Sequence, residues 1–234
     1  MYLQNCLADF SNISLDELRQ ERRWAEKDGN LERFAELDVE VRQRERKERL
    51  TGAQIPLRAR NYSLDSSPAA PALVARCREW LDSPSQALYL HGPTGIGKTG
   101  LAAGLLMAAI DGGSSGRFLA VPDGLARLRE AAGGAEDGGR FRQQLRADFE
   151  RVNLVVLDDL GVGAWSAWVE ETVYSLVETR YANPALRTVV TSNLAPAQLP
   201  AAIGDRAAWR ILEMSGPFVV KGPGPNLRAR AVKP

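Results

Sequence analysis

Residues 87–99 read ALYLHGPTGIGKT, and this stretch decides the fold. ALYL is a short apolar run of strand type, and the apolar pattern that follows, over 98–111, has helical spacing. Between them Gly92, Pro93, Thr94, Gly95, Ile96, Gly97, Lys98 and Thr99 fit GxxxxGKT in the strand-to-helix setting that the motif requires. Glycines let such a loop wrap around phosphate with successive N–H groups turned inward, and the helix N-terminus adds a partial positive charge. The spacing therefore predicts that Lys98 reaches the β- and γ-phosphates of a nucleoside triphosphate while the Thr99 hydroxyl holds Mg2+.

Moving outward, four more runs resemble strands: RFLAV (117–121), NLVVL (153–157), RTVVT (187–191) and PFVV (217–220). Helical patterns, such as 98–111 and 166–181, lie between them. Strands alternating with helices predict an α/β fold of the P-loop NTPase type, a five-stranded parallel sheet with helices on both faces. The segment GGAEDGG (133–139) has the composition of a mobile loop.

Asp158 and Asp159 follow NLVVL directly, at the carboxyl end of a strand, where ligands bind in parallel sheets. The expectation is that Asp158 helps hold Mg2+ and Asp159 orients or deprotonates an attacking water. Asp158-x-x-Gly161 also matches the DxxG element of GTPases, but the guanine-reading NKxD is missing from this sequence. RTVVT ends in Ser192-Asn193, placing the Asn193 amide one strand beyond the acidic pair, where it can face the γ-phosphate or the water. Arg206 and Arg210, spaced i, i+4, share a helix face. They are either a solvated face or an arginine finger offered to a neighbouring subunit. Arg180 extends the apolar stripe Val169, Val173, Leu176 and Val177, so its guanidinium is expected to need a carboxylate or phosphate partner unless it snorkels to the surface.

The 234 residues are 44% hydrophobic and 25% charged, a mix that suits a soluble globular chain. Thirty Lys and Arg against 29 Asp and Glu exclude a uniformly basic nucleic-acid coat. Two cysteines, Cys6 and Cys77, form no zinc pattern. The longest apolar stretch, 101–110, is too short to span a bilayer, and residues 1–10 have no signal-peptide pattern, so a cytoplasmic location without membrane contact is expected. Residues 1–50 read as two charged helices, the first opened by a Ser14/Glu17 capping box and closed at Asp28-Gly29-Asn30. They are expected to be a partner-binding appendage, because two helices bury little core. Residues 42–60 hold seven basic and two acidic side chains, a local basic patch. Residues 51–70 have linker composition, leaving 71–234 as the ATPase domain.

Taken in order, GPTGIGKT, VVLDDLG (155–161), ETRY (178–181), TVVTSNL (188–194) and DRAAWRILE (205–213) resemble the AAA+ ATPases of the DnaC/DnaI type, bacterial replicative helicase loaders, and their relatives the IstB transposition helpers. The resemblance covers about residues 55–228. It implies ATP and Mg2+ as ligands, Gly92 to Thr99 as Walker A, Asp158 and Asp159 as Walker B, Asn193 as sensor 1 and Arg210 as arginine finger beside Arg206. Arg228 stands near the sensor 2 position, and residues 123–148 take the place of the helices that this clade associates with single-stranded DNA. Fourteen residues follow Val220, which implies a reduced or absent lid. The leading expectation is an ATP-hydrolysing loader that self-associates on ATP. Its residues 1–50 would grip a DnaB-type helicase, and single-stranded DNA would be its substrate. The alternatives are an IstB-like transposition helper and a P-loop small-molecule kinase. The kinase would need an arginine-rich lid that the sequence does not offer.

Overall fold

A computed structural model describes residues 10–132, 136–163, 165–223 and 226–227. It divides into two compact units, one up to Thr51 and one from Gly52 onward.

The first unit is a helical hairpin of α1 (Leu15–Lys27) and α2 (Leu31–Gly52). The capping box forms in both directions: the Glu17 N–H donates to Ser14 Oγ at 3.3 Å, and the Ser14 N–H donates to Glu17 Oε2 at 2.8 Å. Leu18, Ala25, Leu37 and Val41 make a small core, with Phe10, Ile13, Leu15 and Phe34 packed on it. Ion pairs cross the hairpin at Arg22–Asp38, Arg19–Glu45 and Arg33–Glu21. The basic run is partly neutralised along its own helix, with Arg42 on Asp38, Arg44 on Glu40 and Arg49 on Glu45. Trp24, Leu31 and Val39 stay exposed.

The second unit is a parallel sheet of β1 (Ala87–His91), β2 (Gly116–Ala120), β3 (Leu154–Leu160), β4 (Arg187–Ser192) and β5 (Val219–Lys221). The spatial order is β2-β3-β4-β1-β5. β1 lies inside the sheet, between β4 and β5, and is buried throughout, which is why its residues are apolar without alternation. Helices α3 (Pro71–Asp82), α4 (Lys98–Asp111), α5 (Val121–Ala132), α6 (Glu136–Arg151), α7 (Ala167–Tyr181), α8 (Leu199–Ile203) and α9 (Asp205–Ser215) complete it. α5, α6, α7 and α9 bury their apolar stripes against β1, β3 and β4 in one large cluster. α4 is buried nearly all round, through Leu101, Leu105, Leu106 and Ile110, because it has the sheet on one side and chain from residues 62–64 on the other. Gly100 and Gly104 permit that second contact. A Cβ at Gly100 would stand 2.7 Å from the Tyr62 ring, and one at Gly104 would stand 3.3 Å from the Leu64 backbone nitrogen.

Three expectations need correction. Residues 52–70 do not behave as a linker, since Ala53, Ile55, Ala59, Leu64 and Ala69 are all buried within the second unit. Gly100 and Gly104 on α4 let residues 62–64 lie close against that helix, which the composition of the segment itself hides. Of the loop expected over 133–139, residues 136–139 open α6 and 133–135 lie outside the described residues. Arg180 meets neither carboxylate nor phosphate. Only 1% exposed, it donates to the carbonyls of Phe149, Val152, Asn153 and Arg187 and to Thr188 Oγ1. Burial pushes its guanidinium down to about 9, still charged at neutral pH, and carbonyl oxygens provide the solvation that water no longer can. Arg180 thereby ties the ends of α6, α7 and β4 into one knot.

Candidate nucleotide site

The loop from β1 to α4 has the backbone that its glycines allow. Gly92, Gly95 and Gly97 sit at φ +139°, +88° and +95°, and Gly97 is the N-cap of α4. The Lys98 ammonium, 6% exposed, donates to Gly92 O at 2.8 Å, Pro93 O at 3.0 Å and Asn193 Oδ1 at 2.9 Å. The last bond joins the loop to the tip of β4, two segments 95 residues apart in sequence. His91, at the foot of the loop, stacks on Tyr89 and is held below the usual histidine range by burial and by the charges of Lys221 and Lys98, so it is neutral at pH 7.

Asp158, 2% exposed, accepts from Thr99 Oγ1 at 3.2 Å and from Thr191 Oγ1 at 2.7 Å. Burial pushes its carboxyl up, the two threonine bonds pull it down, Asp159 raises it and Arg58 lowers it; the net shift is upward. The register of β3 on β4 slips between Leu157 and Leu160. Asp159 sits in that slip with φ +58°, a left-handed conformation that aspartate tolerates better than most residues. Its N–H donates to Thr191 Oγ1 at 3.0 Å. One hydroxyl, on a side chain with no exposure, therefore braces both acidic residues.

A cavity of about 640 Å3 opens over these groups, lined by Thr94, Lys98, Thr99, Asp159 and Asn193, and by Arg58 and Tyr62 from the segment before α3. That volume suits a small-molecule ligand. The Thr99 hydroxyl and the Asp158 carboxylate are hard oxygen donors of the kind that hold Mg2+ together with phosphates and water. Among the described residues, no three His, Cys, Asp or Glu side chains gather as a metal-holding cluster.

Gly92 to Thr99, Asp158, Asp159 and Asn193 thus converge as the spacing predicts. Arg210 and Arg206 do not line the cavity. Arg210 lies over Tyr181 and is held by Glu178 at 2.9 Å, and Arg206 lies over Tyr174 near Glu171 at 3.6 Å. Arg228 lies outside the described residues. Residues just before it reach the loop: the Leu227 N–H donates to Gly95 O at 2.8 Å, and a Cβ on Gly95 would stand 1.9 Å from Asn226 Oδ1. Thr191, Arg58, Tyr62 and Leu227 were not anticipated as part of the site. Thr191 sits inside an ordinary β-branched run, and the others come from segments far off in sequence with no motif of their own.

A protein named for ATP binding in an insertion sequence of Mycobacterium tuberculosis is 29% identical over 139 residues, 58% of this chain and 53% of that protein. One named for ATP binding in insertion sequence IS1162 of Pseudomonas fluorescens is 35% identical over 119 residues, 50% of this chain and 46% of that protein. The matched part spans about half the length of these relatives. The crystal structure of the DnaC helicase loader superposes with a TM-score of 0.57 at 25% identity, covering 68% of this chain and 96% of that one. The profile described as IstB-like ATP binding protein matches residues 16–212, most of the chain, so the protein belongs to the IstB-like ATP-binding family.

Proposed function

We propose that the protein is a Mg2+-dependent ATPase of AAA+ type that assembles or releases a partner on DNA. The observation that carries the reading is the joint closure of Thr99 on Asp158 and of Lys98 on Asn193, which brings three separate strand ends to one phosphate loop. In this reading the loop amides and Lys98 bind the triphosphate tail, and Asn193 and Asp159 position the attacking water, with Asp159 also taking its proton. Mg2+, held by Thr99 and Asp158, would neutralise charge on the β- and γ-phosphates. Arg210 lies off its own cavity, paired with Glu178 of α7, so it would complete the site of a second copy by exchanging Glu178 for that copy's γ-phosphate. ATP then favours self-association because it bridges the assembled state alone.

Two partners are supported. A hexameric DnaB-type helicase, delivered to single-stranded DNA, is suggested by the likeness to the crystallised chain of the DnaC helicase loader. A transposase acting on duplex DNA is suggested by the family profile and the insertion-sequence relatives. In either case Trp24, Leu31 and Val39, exposed on the hairpin of residues 10–51, offer an apolar docking face, and exposed Arg140 and Arg142 with Arg146 on α6 offer a DNA contact. Lys98→Ala and Arg210→Ala are each expected to abolish ATP hydrolysis, and mixing the two should restore part of it. No recovery would refute a shared site. Affinity for single-stranded against duplex DNA, with its salt slope, separates the partners.

A further inference from the structure

The segment before α3 brings a second cation to the cavity. Leu57–Ala59 form a 3-10 turn, closed by the Ala59 N–H to Pro56 O at 2.8 Å and followed by the Tyr62 N–H to Ala59 O at 3.3 Å. Ile55 and Ala59 on either side are buried at 2% and 1% exposure, and Arg60 Nε donates back to Ile55 O at 2.9 Å. The turn is therefore fixed, and it packs on α4. From its middle, Arg58 reaches the cavity wall that also carries Thr99, Gly100, Asp159 and Asn193. Among the described residues lining that cavity, Lys98 and Arg58 are the cations. They differ in one respect. Lys98 is already bonded to two loop carbonyls and to Asn193, whereas Arg58 is exposed and makes no hydrogen bond or ion pair among the described residues.

This asymmetry has an electrostatic consequence. A triphosphate would enter a cavity with Asp159 on its wall and Asp158 bonded to Thr99 beneath it, and the like charges repel. One ammonium, shared with three oxygens, offsets little of that repulsion. A guanidinium on a fixed stem offers forked donors matched to phosphate oxygens and stays charged at any working pH. Its charge already acts on the acidic side, since Arg58 helps hold the Asp158 carboxyl down.

Resting on the ATP-site reading above, we infer that Arg58 binds the phosphate tail of the nucleoside triphosphate from within the same chain.

Arg58→Ala, Arg58→Lys and Lys98→Ala can be compared by titration calorimetry with ATP and with adenosine, over a range of KCl concentrations. Losing a charge-assisted contact predicts that Arg58→Ala weakens ATP about 10- to 100-fold. Adenosine affinity and melting temperature should stay unchanged, the salt dependence of ATP binding should flatten, and Arg58→Lys should recover part of the loss. ATP affinity within twofold of the parent, or equal losses for ATP and adenosine, would overturn the inference. If Lys98→Ala still abolished ATP binding in that case, the site reading would stand without Arg58. If the parent protein bound no ATP, the site reading would fall first.

Discussion

Thr191→Val is the sharpest probe of how the acidic pair is held. Valine matches threonine in shape, so the change removes one hydroxyl from a fully buried position and leaves the packing in place. Two hydrogen bonds go with it, the one to Asp158 Oδ1 at 2.7 Å and the one accepted from the Asp159 N–H at 3.0 Å. Each partner is then left short of a bond in a place that water does not easily reach, at about 1–3 kcal/mol apiece, for a total of roughly 2–6 kcal/mol. For a unit of this size that corresponds to a fall in melting temperature on the order of 10 °C. Thr191→Ser keeps the hydroxyl and loses a buried methyl group, and should cost only about 1 kcal/mol.

The pH dependence carries a definite sign. Asp158 is an acid whose folded pKa lies above its unfolded value. The folded state therefore binds the extra proton across that window, and the contribution of this group to stability falls as pH rises through it. Thr191 pulls the folded value down, so removing it lifts the value further. The deficit of Thr191→Val should be complete at neutral pH and shrink on acidification through the titration of Asp158. Urea denaturation of both variants from pH 7.5 downward tests this. If Val melts with Ser at pH 7.5, or its deficit does not shrink at lower pH, the bracing role is refuted.

Arg180→Met should destabilise the ATPase unit by about 3–5 kcal/mol, measured by urea denaturation, because four backbone carbonyls lose their donor at once. Nucleotide affinity, measured below the unfolding transition, should be preserved. Gly95→Ala combines a forbidden φ of +88° with a Cβ 1.9 Å from Asn226 Oδ1, so it should weaken ATP binding at least tenfold in calorimetry and shift the Leu227 amide signal. The buried Cys77 thiol, pushed up to about 12, should resist thiol reagents at pH 8 until denaturant is added, as peptide mapping of the labelled chain would show.

The order and kind of elements around the phosphate loop could be read from sequence because each rests on a local signal: an apolar run, a capping residue or a glycine that needs positive φ. The helix over 98–111 and the Ser14 cap are examples. The convergence of Asp158 and Asn193 on the loop was legible too, because parallel strands present their carboxyl ends together. Arg58 and Tyr62 were not legible. Their role depends on residues 62–64 lying against Gly100 and Gly104, and nothing in the serine- and proline-rich composition around them distinguishes such a segment from a spacer. Arg180 misled for a related reason. Sequence counts side chains as partners, whereas the oxygens that satisfy this guanidinium belong almost entirely to the main chain.

The carboxylate of Asp159 is carried on a side chain one methylene shorter than glutamate. Here the main chain contributes reach that side-chain length does not. The extra residue in β3 lifts Asp159 off the ladder and turns it toward the cavity, at the expense of one irregular pairing. A variant with a straightened β3 would have a tidier sheet and an idle site, because a one-residue slip sends every later side chain to the opposite face.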